Sequence, residues 1–102
     1  MSRGLEGYYK LIEIQNNFIL YAYSGDNFNY PYDKKTACQC DGQIKIKLPI
    51  TDEKETIEIL KECIYAEKNC DGDDILALFT GKRIIYQYKQ TGEFPKEGHW
   101  IV

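Results

Sequence analysis

A pair of asparagines between two β-rich runs constrains this chain more than any other feature. Tyr8-Tyr9-Lys10-Leu11-Ile12-Glu13-Ile14 precedes Gln15-Asn16-Asn17, and Phe18-Ile19-Leu20-Tyr21-Ala22-Tyr23-Ser24 follows. Aromatic and β-branched side chains suit a pleated, half-buried surface, and asparagine tolerates the positive φ of a tight turn. The two runs therefore predict a β-hairpin. With Asn16-Asn17 as its two-residue loop, Ile14 faces Ile19, Ile12 faces Tyr21 and Lys10 faces Tyr23, while Leu11, Glu13, Leu20 and Ala22 point to the other side. Both faces are largely apolar, so one can cover a core and the other needs a cover or a use.

A second hairpin follows. Ile44, Ile46 and Leu48 alternate with Gln43, Lys45 and Lys47, the pattern of a half-buried strand. Thr51 to Glu55 reads as a polar loop, and Thr56-Ile57-Glu58-Ile59-Leu60 alternates again. Setting Ile46 against Ile59 also places Leu48 against Ile57 and Lys47 against Glu58. A helix over residues 52–68 competes, because Asp52 with Glu55 three positions on is a capping signature and good helix formers follow.

A helix is marked more strongly after Asp71-Gly72-Asp73-Asp74, where acids suit the positive end of the helix dipole; it places Ile75, Leu78, Phe79, Ile85 and Tyr86 near one face. Thr91-Gly92 followed by Phe94-Pro95 ends it, since glycine accepts the left-handed conformation and proline cannot continue a helix. Gly81 costs about 1 kcal/mol against alanine inside a helix, but a small residue there suits close packing on a sheet. His99-Trp100-Ile101-Val102 adds a short strand or a docked tail. The expected architecture is α+β: an antiparallel sheet of about four strands from two hairpins, with one C-terminal helix on one face. The 102 residues support one domain, 1–102, with one core.

Net charge is −3, distributed as +1 over residues 1–50, −6 over 51–74 and +2 over 75–102. Phosphate contacts supply most non-specific affinity for duplex nucleic acid, so the lack of a basic surplus argues against a duplex partner. Lys34, Lys35, Lys45 and Lys47 keep single-stranded nucleic acid open. No run approaches the roughly 18 apolar residues of a membrane span, and none of signal-peptide length follows Met1. A soluble cytoplasmic protein with no membrane partner is expected. Thirteen Ile against one Val, and eleven Lys against two Arg, suggest an AT-rich bacterial genome.

Cys38, Cys40, Cys63 and Cys70 occur in C-x-C and C-x6-C spacing rather than the paired C-x2-C knuckles of tetrahedral zinc. Plain thiols are expected, with a disulfide or a metal as alternatives. Nucleophilic catalysis needs a positioned base, yet there is no G-x-S-x-G and the lone His99 is nearly terminal. Gly81-Lys82 lacks the upstream glycine of a P-loop, that position being Leu76, and no G-x-G-x-x-G exists. Asp71-Gly72-Asp73-Asp74 resembles the start of a calcium loop, but Ile75 to Thr80 supply almost no oxygen ligands, and a solvated helix cap accounts for it better. No catalytic residue, cofactor or metal site is assigned. Paired carboxylates over residues 52–74 leave an enzyme as a third class, requiring a pocket lined by acids.

Tyr8-Tyr9-Lys10-Leu11-Ile12-Glu13, Tyr21-Ala22-Tyr23-Ser24, Asp41-Gly42-Gln43-Ile44 and the closing Phe94-Pro95 segment resemble patterns in short uncharacterised proteins of low-GC bacteria. The resemblance spans most of the chain and departs most around Cys38 and Cys40. It supports the strand assignments and implies no activity.

The segment Gly25 to Gly42 runs eighteen residues without periodicity, and loops beyond about 12–15 residues usually carry function. Phe28, Tyr30 and Tyr32 with Lys34 and Lys35 form a candidate surface for another protein, since tyrosine offers large contact area at low entropic cost. The alternative is that this loop seals the open face of the first hairpin. The expected function is a small non-enzymatic binding module of protein-interaction, inhibitor or immunity type. The rival is an aromatic sheet face of Lys10, Tyr21 and Tyr23 for single-stranded nucleic acid or a small ligand.

Overall fold

In the computed structural model, which describes residues 4–27, 35, 38–50 and 56–101, the first hairpin closes at Asn16-Asn17. There the Gln15 N–H donates to the Phe18 carbonyl at 2.9 Å. Strands β1 (Leu5–Ile14) and β2 (Phe18–Asn27) begin in the expected register, Ile14 against Ile19. The register then slips at Ile12: Leu11 lies against Tyr21, Lys10 against Ala22 and Tyr9 against Tyr23. One extra residue in a strand of period 2 sends every later side chain to the other face. The expected pairing of Lys10 with Tyr23 is thereby corrected. Tyr9 enters the core and Lys10 is exposed on the far side.

Strands β3 (Gly42–Lys47) and β4 (Ile57–Lys61) form the second hairpin, so Ile57–Lys61 is strand rather than helix. Ile46 meets Ile57 and Ile44 meets Ile59, two positions from the expected register. A two-residue slip preserves the faces, so the isoleucines still point inward. Lys47 reaches Glu58 from a diagonal position at 3.3 Å. The closing segment forms a fifth strand, β5 (Glu97–Ile101), antiparallel to β1, and the sheet order is β4-β3-β2-β1-β5. Glu97-Gly98-His99 has little strand propensity of its own; β1 supplies the ladder, and Trp100 anchors it by donating from Nε1 to Thr80 Oγ1 at 2.8 Å.

The C-terminal helix spans Ile75–Thr91. Asp74 caps its start, accepting from the Leu76 N–H, and Gly92 at φ 80° ends it with a bond from its N–H to the Tyr88 carbonyl. Its buried stripe is Leu76, Ala77, Thr80, Gly81 and Ile84, not the expected stripe of Ile75, Leu78, Phe79, Ile85 and Tyr86. The reason is proximity to the sheet. A Cβ on Gly81 would lie 2.6 Å from the Ile57 side chain, so the helix turns its smallest residues inward and presses close.

Tyrosine hydroxyls pin this helix to the sheet. Tyr23 donates to Asp74 at the helix cap at 2.5 Å, Tyr9 to Gln87 at 3.2 Å, and Tyr21 to the Pro95 carbonyl beyond the helix end at 2.6 Å. Their rings join Ile19, Ile44, Ile46, Leu76, Ala77, Ile84, Cys63 and Trp100 in the core. Each phenol thus buries its apolar ring and satisfies its polar end.

Candidate functional site

The expected surface of Phe28, Tyr30, Tyr32 and Lys34 lies outside the described residues. Lys35 is exposed, in a helical turn, and its carbonyl accepts a weak bond from Cys38 Sγ at 3.6 Å. The rival face is corrected. Tyr21 and Tyr23 are both 0% exposed beneath the helix, and the bulge puts Lys10 on the opposite side. Three residues expected to share one open face are divided between the core and the far surface.

Chemistry-bearing side chains of the described residues gather in three places. Around Asp74, Oδ1 accepts from the Glu67 and Leu76 amides at 3.0 Å, and Oδ2 accepts from Tyr23 and, at 3.6 Å, from the Cys63 thiol. The carboxylate is fully buried, so the expectation of a solvated cap is corrected. Both of its oxygens are consumed by protein donors, and the group acts as a structural hub. Burial, reinforced by Asp74, pushes the Cys63 thiol and the Tyr23 phenol above their usual ranges. Burial also raises Cys40. Raised thiols stay protonated and are poor nucleophiles. All four cysteines are free, and no three described His, Cys, Asp or Glu side chains converge as metal ligands.

A second cluster lies on the sheet face away from the helix. Glu6, 1% exposed, meets His99 Nε2 through Oε2 at 3.1 Å and accepts the Tyr8 hydroxyl through Oε1 at 3.1 Å. The Tyr8 and His99 rings stack at 4.6 Å. These residues occupy facing positions on β1 and β5, so the cluster clamps the last strand to the sheet.

The third arrangement is a groove of about 370 Å³ between the helix and β5, lined by Phe79, Lys82, Arg83, Tyr86, Trp100 and Ile101. The helical residues recur at i, i+3, i+4 and i+7, which places them in one stripe beside the buried one. Phe79 packs edge-on against Trp100 at 5.8 Å, which fixes the wall to the floor. Phe79, Tyr86 and Ile101 are 36%, 61% and 56% exposed. Lys82, Arg83 and Lys89 are the charged residues of the helix, which carries no acid. The groove therefore presents apolar surface with a positive rim, against an overall charge of −3.

Sequence reasoning found Phe79 and Tyr86 but assigned them to the core. The signal that separates the two stripes is the run of small residues Ala77, Thr80 and Gly81, which marks the side that approaches the sheet. Comparison with protein families, with curated proteins and with solved structures finds no match for this chain.

Proposed function

We propose that this chain is a small non-catalytic protein-interaction module, of inhibitor or immunity type, that engages its partner through the groove between the helix and β5. The observation that carries this reading is the stripe of Phe79, Lys82, Arg83 and Tyr86 facing outward beside Trp100 and Ile101. A soluble domain gains nothing in its own fold by exposing a tyrosine at 61% and a phenylalanine at 36% in one groove. Aromatic residues and arginine are the types that dominate interface energies. The chemistry-bearing clusters support a binding role over a catalytic one, since Asp74 and Glu6 are committed to internal bonds.

The test is cross-linking in the native cell extract followed by mass spectrometry, with wild type and a Lys82→Glu/Tyr86→Ser variant. Both side chains are exposed, so the melting temperature should stay close to wild type. A stoichiometric protein partner is expected for wild type and should be lost from the variant. Equal capture by both, or no stoichiometric partner, overturns the reading. Changing Phe28, Tyr30 and Tyr32 together to Ser tests the loop surface in the same assay. Loss of the partner with an unchanged melting temperature would add that loop to the interface.

A further inference from the structure

Among the described residues β5 is the terminal strand of the sheet, and its bonding pattern shows which of its backbone groups are spent on β1. The Leu11 N–H donates to the Lys96 carbonyl at 2.7 Å. In an antiparallel ladder hydrogen-bonded pairs alternate with non-bonded ones, and the register continues as Lys10 with Glu97, Tyr9 with Gly98, Tyr8 with His99, Gly7 with Trp100 and Glu6 with Ile101. Gly98 and Trp100 therefore direct their N–H and C=O groups toward β1. Glu97, His99 and Ile101 direct theirs to the outer edge.

Trp100 and Ile101 of this strand line the groove, and the helical stripe of Phe79, Lys82, Arg83 and Tyr86 forms its opposite wall. A strand added at the outer edge would bond to Glu97, His99 and Ile101. Its residues opposite Gly98 and Trp100 would point to the helix side, toward Phe79, Lys82, Arg83 and Tyr86, because both β5 residues face that side. An occupant in helical form could fill the groove but would leave these edge groups unused.

We infer that the outer edge of β5 accepts an extended acidic segment of a partner protein as a sixth strand of the sheet. This rests on the interaction reading above and names its mode and the chemistry of the partner. Main-chain bonds to an open edge give affinity, and pockets for alternate side chains give selectivity. Charge settles the occupant. A second copy would set Lys82 and Arg83 of two helices near one another, whereas an acidic segment neutralises them.

The probe is a synthetic peptide of about six residues, the usual strand length, with glutamate at the alternate positions that face the helix and valine between them. Backbone amide resonances of the protein are followed during titration. The amides of Glu97, His99 and Ile101 should shift and gain protection from hydrogen exchange. Ile101→Pro removes an outward N–H and no bond to β1, and proline is tolerated on edge strands, so the fold should survive while binding weakens about tenfold. Lys82→Glu/Arg83→Glu should likewise weaken this peptide and favour a valine–lysine counterpart.

An equal response to the lysine peptide in wild type, or full binding by Ile101→Pro, overturns the proposal. So do β5 shifts that depend on protein concentration without peptide, which would make a second copy the occupant. If an alanine–glutamate helical peptide instead moves Phe79 and Tyr86 while the edge amides stay fixed, strand addition fails and the groove reading stands. No response in the helix or β5 to any of these peptides removes both.

Discussion

The Tyr23 hydroxyl donates to the Asp74 carboxylate at 2.5 Å, joining the first hairpin to the residue that caps the helix 51 positions later. The same phenol oxygen accepts the Cys63 N–H at 3.2 Å, so one side chain ties three segments together. Tyr23→Phe should cost about 1.5–3 kcal/mol, the range for a bond to a charged group, with the helix cap left in place. Asp74→Ala should cost more, because the Glu67 and Leu76 amides also lose their acceptor. Urea denaturation of both single variants and the double variant checks this. Additive effects would show that the two residues do not stabilise one another.

Alkaline pH should unfold the domain in a defined window. Burial raises Tyr9, Tyr21 and Tyr23 above the ordinary phenol value of 10.0, and Cys63 above the thiol value of 9.0. A group whose folded pKa is raised holds its proton longer in the folded chain, so its contribution is complete below the unfolded value and is lost as pH rises past it. Stability should therefore fall first near pH 9.0, from Cys63, and more steeply beyond pH 10.0, from the tyrosines. Tyrosinate absorbance and circular dichroism followed together provide the check. The buried tyrosines should titrate only as the fold is lost.

Gly81 and Ile57 should behave as one unit. A Cβ at Gly81 falls 2.6 Å from Ile57 Cδ1, so Gly81→Val should destabilise by about 1–3 kcal/mol through overpacking. Combining it with Ile57→Ala should recover part of that loss, because the truncated side chain leaves room. Thermal melts of the four proteins in the cycle decide it, and strict additivity would mean that the helix does not press on Ile57.

The central hairpin offers a contrast between its two faces. Ile46 is buried opposite Ile57, and Ile46→Ala should cost about 2–4 kcal/mol. Lys47 and Glu58 lie 3.3 Å apart but are about half exposed, so Glu58→Gln should change stability by about 0–1 kcal/mol. Denaturant midpoints measured in parallel would expose an error in the register if both variants were equally tolerated.

Glu6 should be needed for the last strand. It is buried, and its two oxygens hold His99 and Tyr8. Glu6→Ala should cost about 1–3 kcal/mol and increase hydrogen exchange in β5 more than in β3. Uniform exchange across the sheet would argue against a clamp confined to β1 and β5.

Features governed by neighbours a few residues apart were legible in the sequence. The Asn16-Asn17 turn, the alternation of Ile44 and Ile46, and the Asp74 start and Gly92 stop of the helix all follow from local backbone preferences and period. The tertiary structure alone decided three others. The slip at Ile12 depends on Tyr9, rather than Lys10, fitting beneath a helix more than sixty residues away. The rotation of that helix depends on how closely Ala77, Thr80 and Gly81 can approach the sheet, and it moved Phe79 and Tyr86 from an expected core stripe to the groove. The fifth strand forms because β1 offers an open edge and Trp100 finds Thr80. Local signals specify which segments bend, alternate or coil, but which side of each is covered follows from long-range packing, where a one-residue slip or a modest rotation exchanges core for surface.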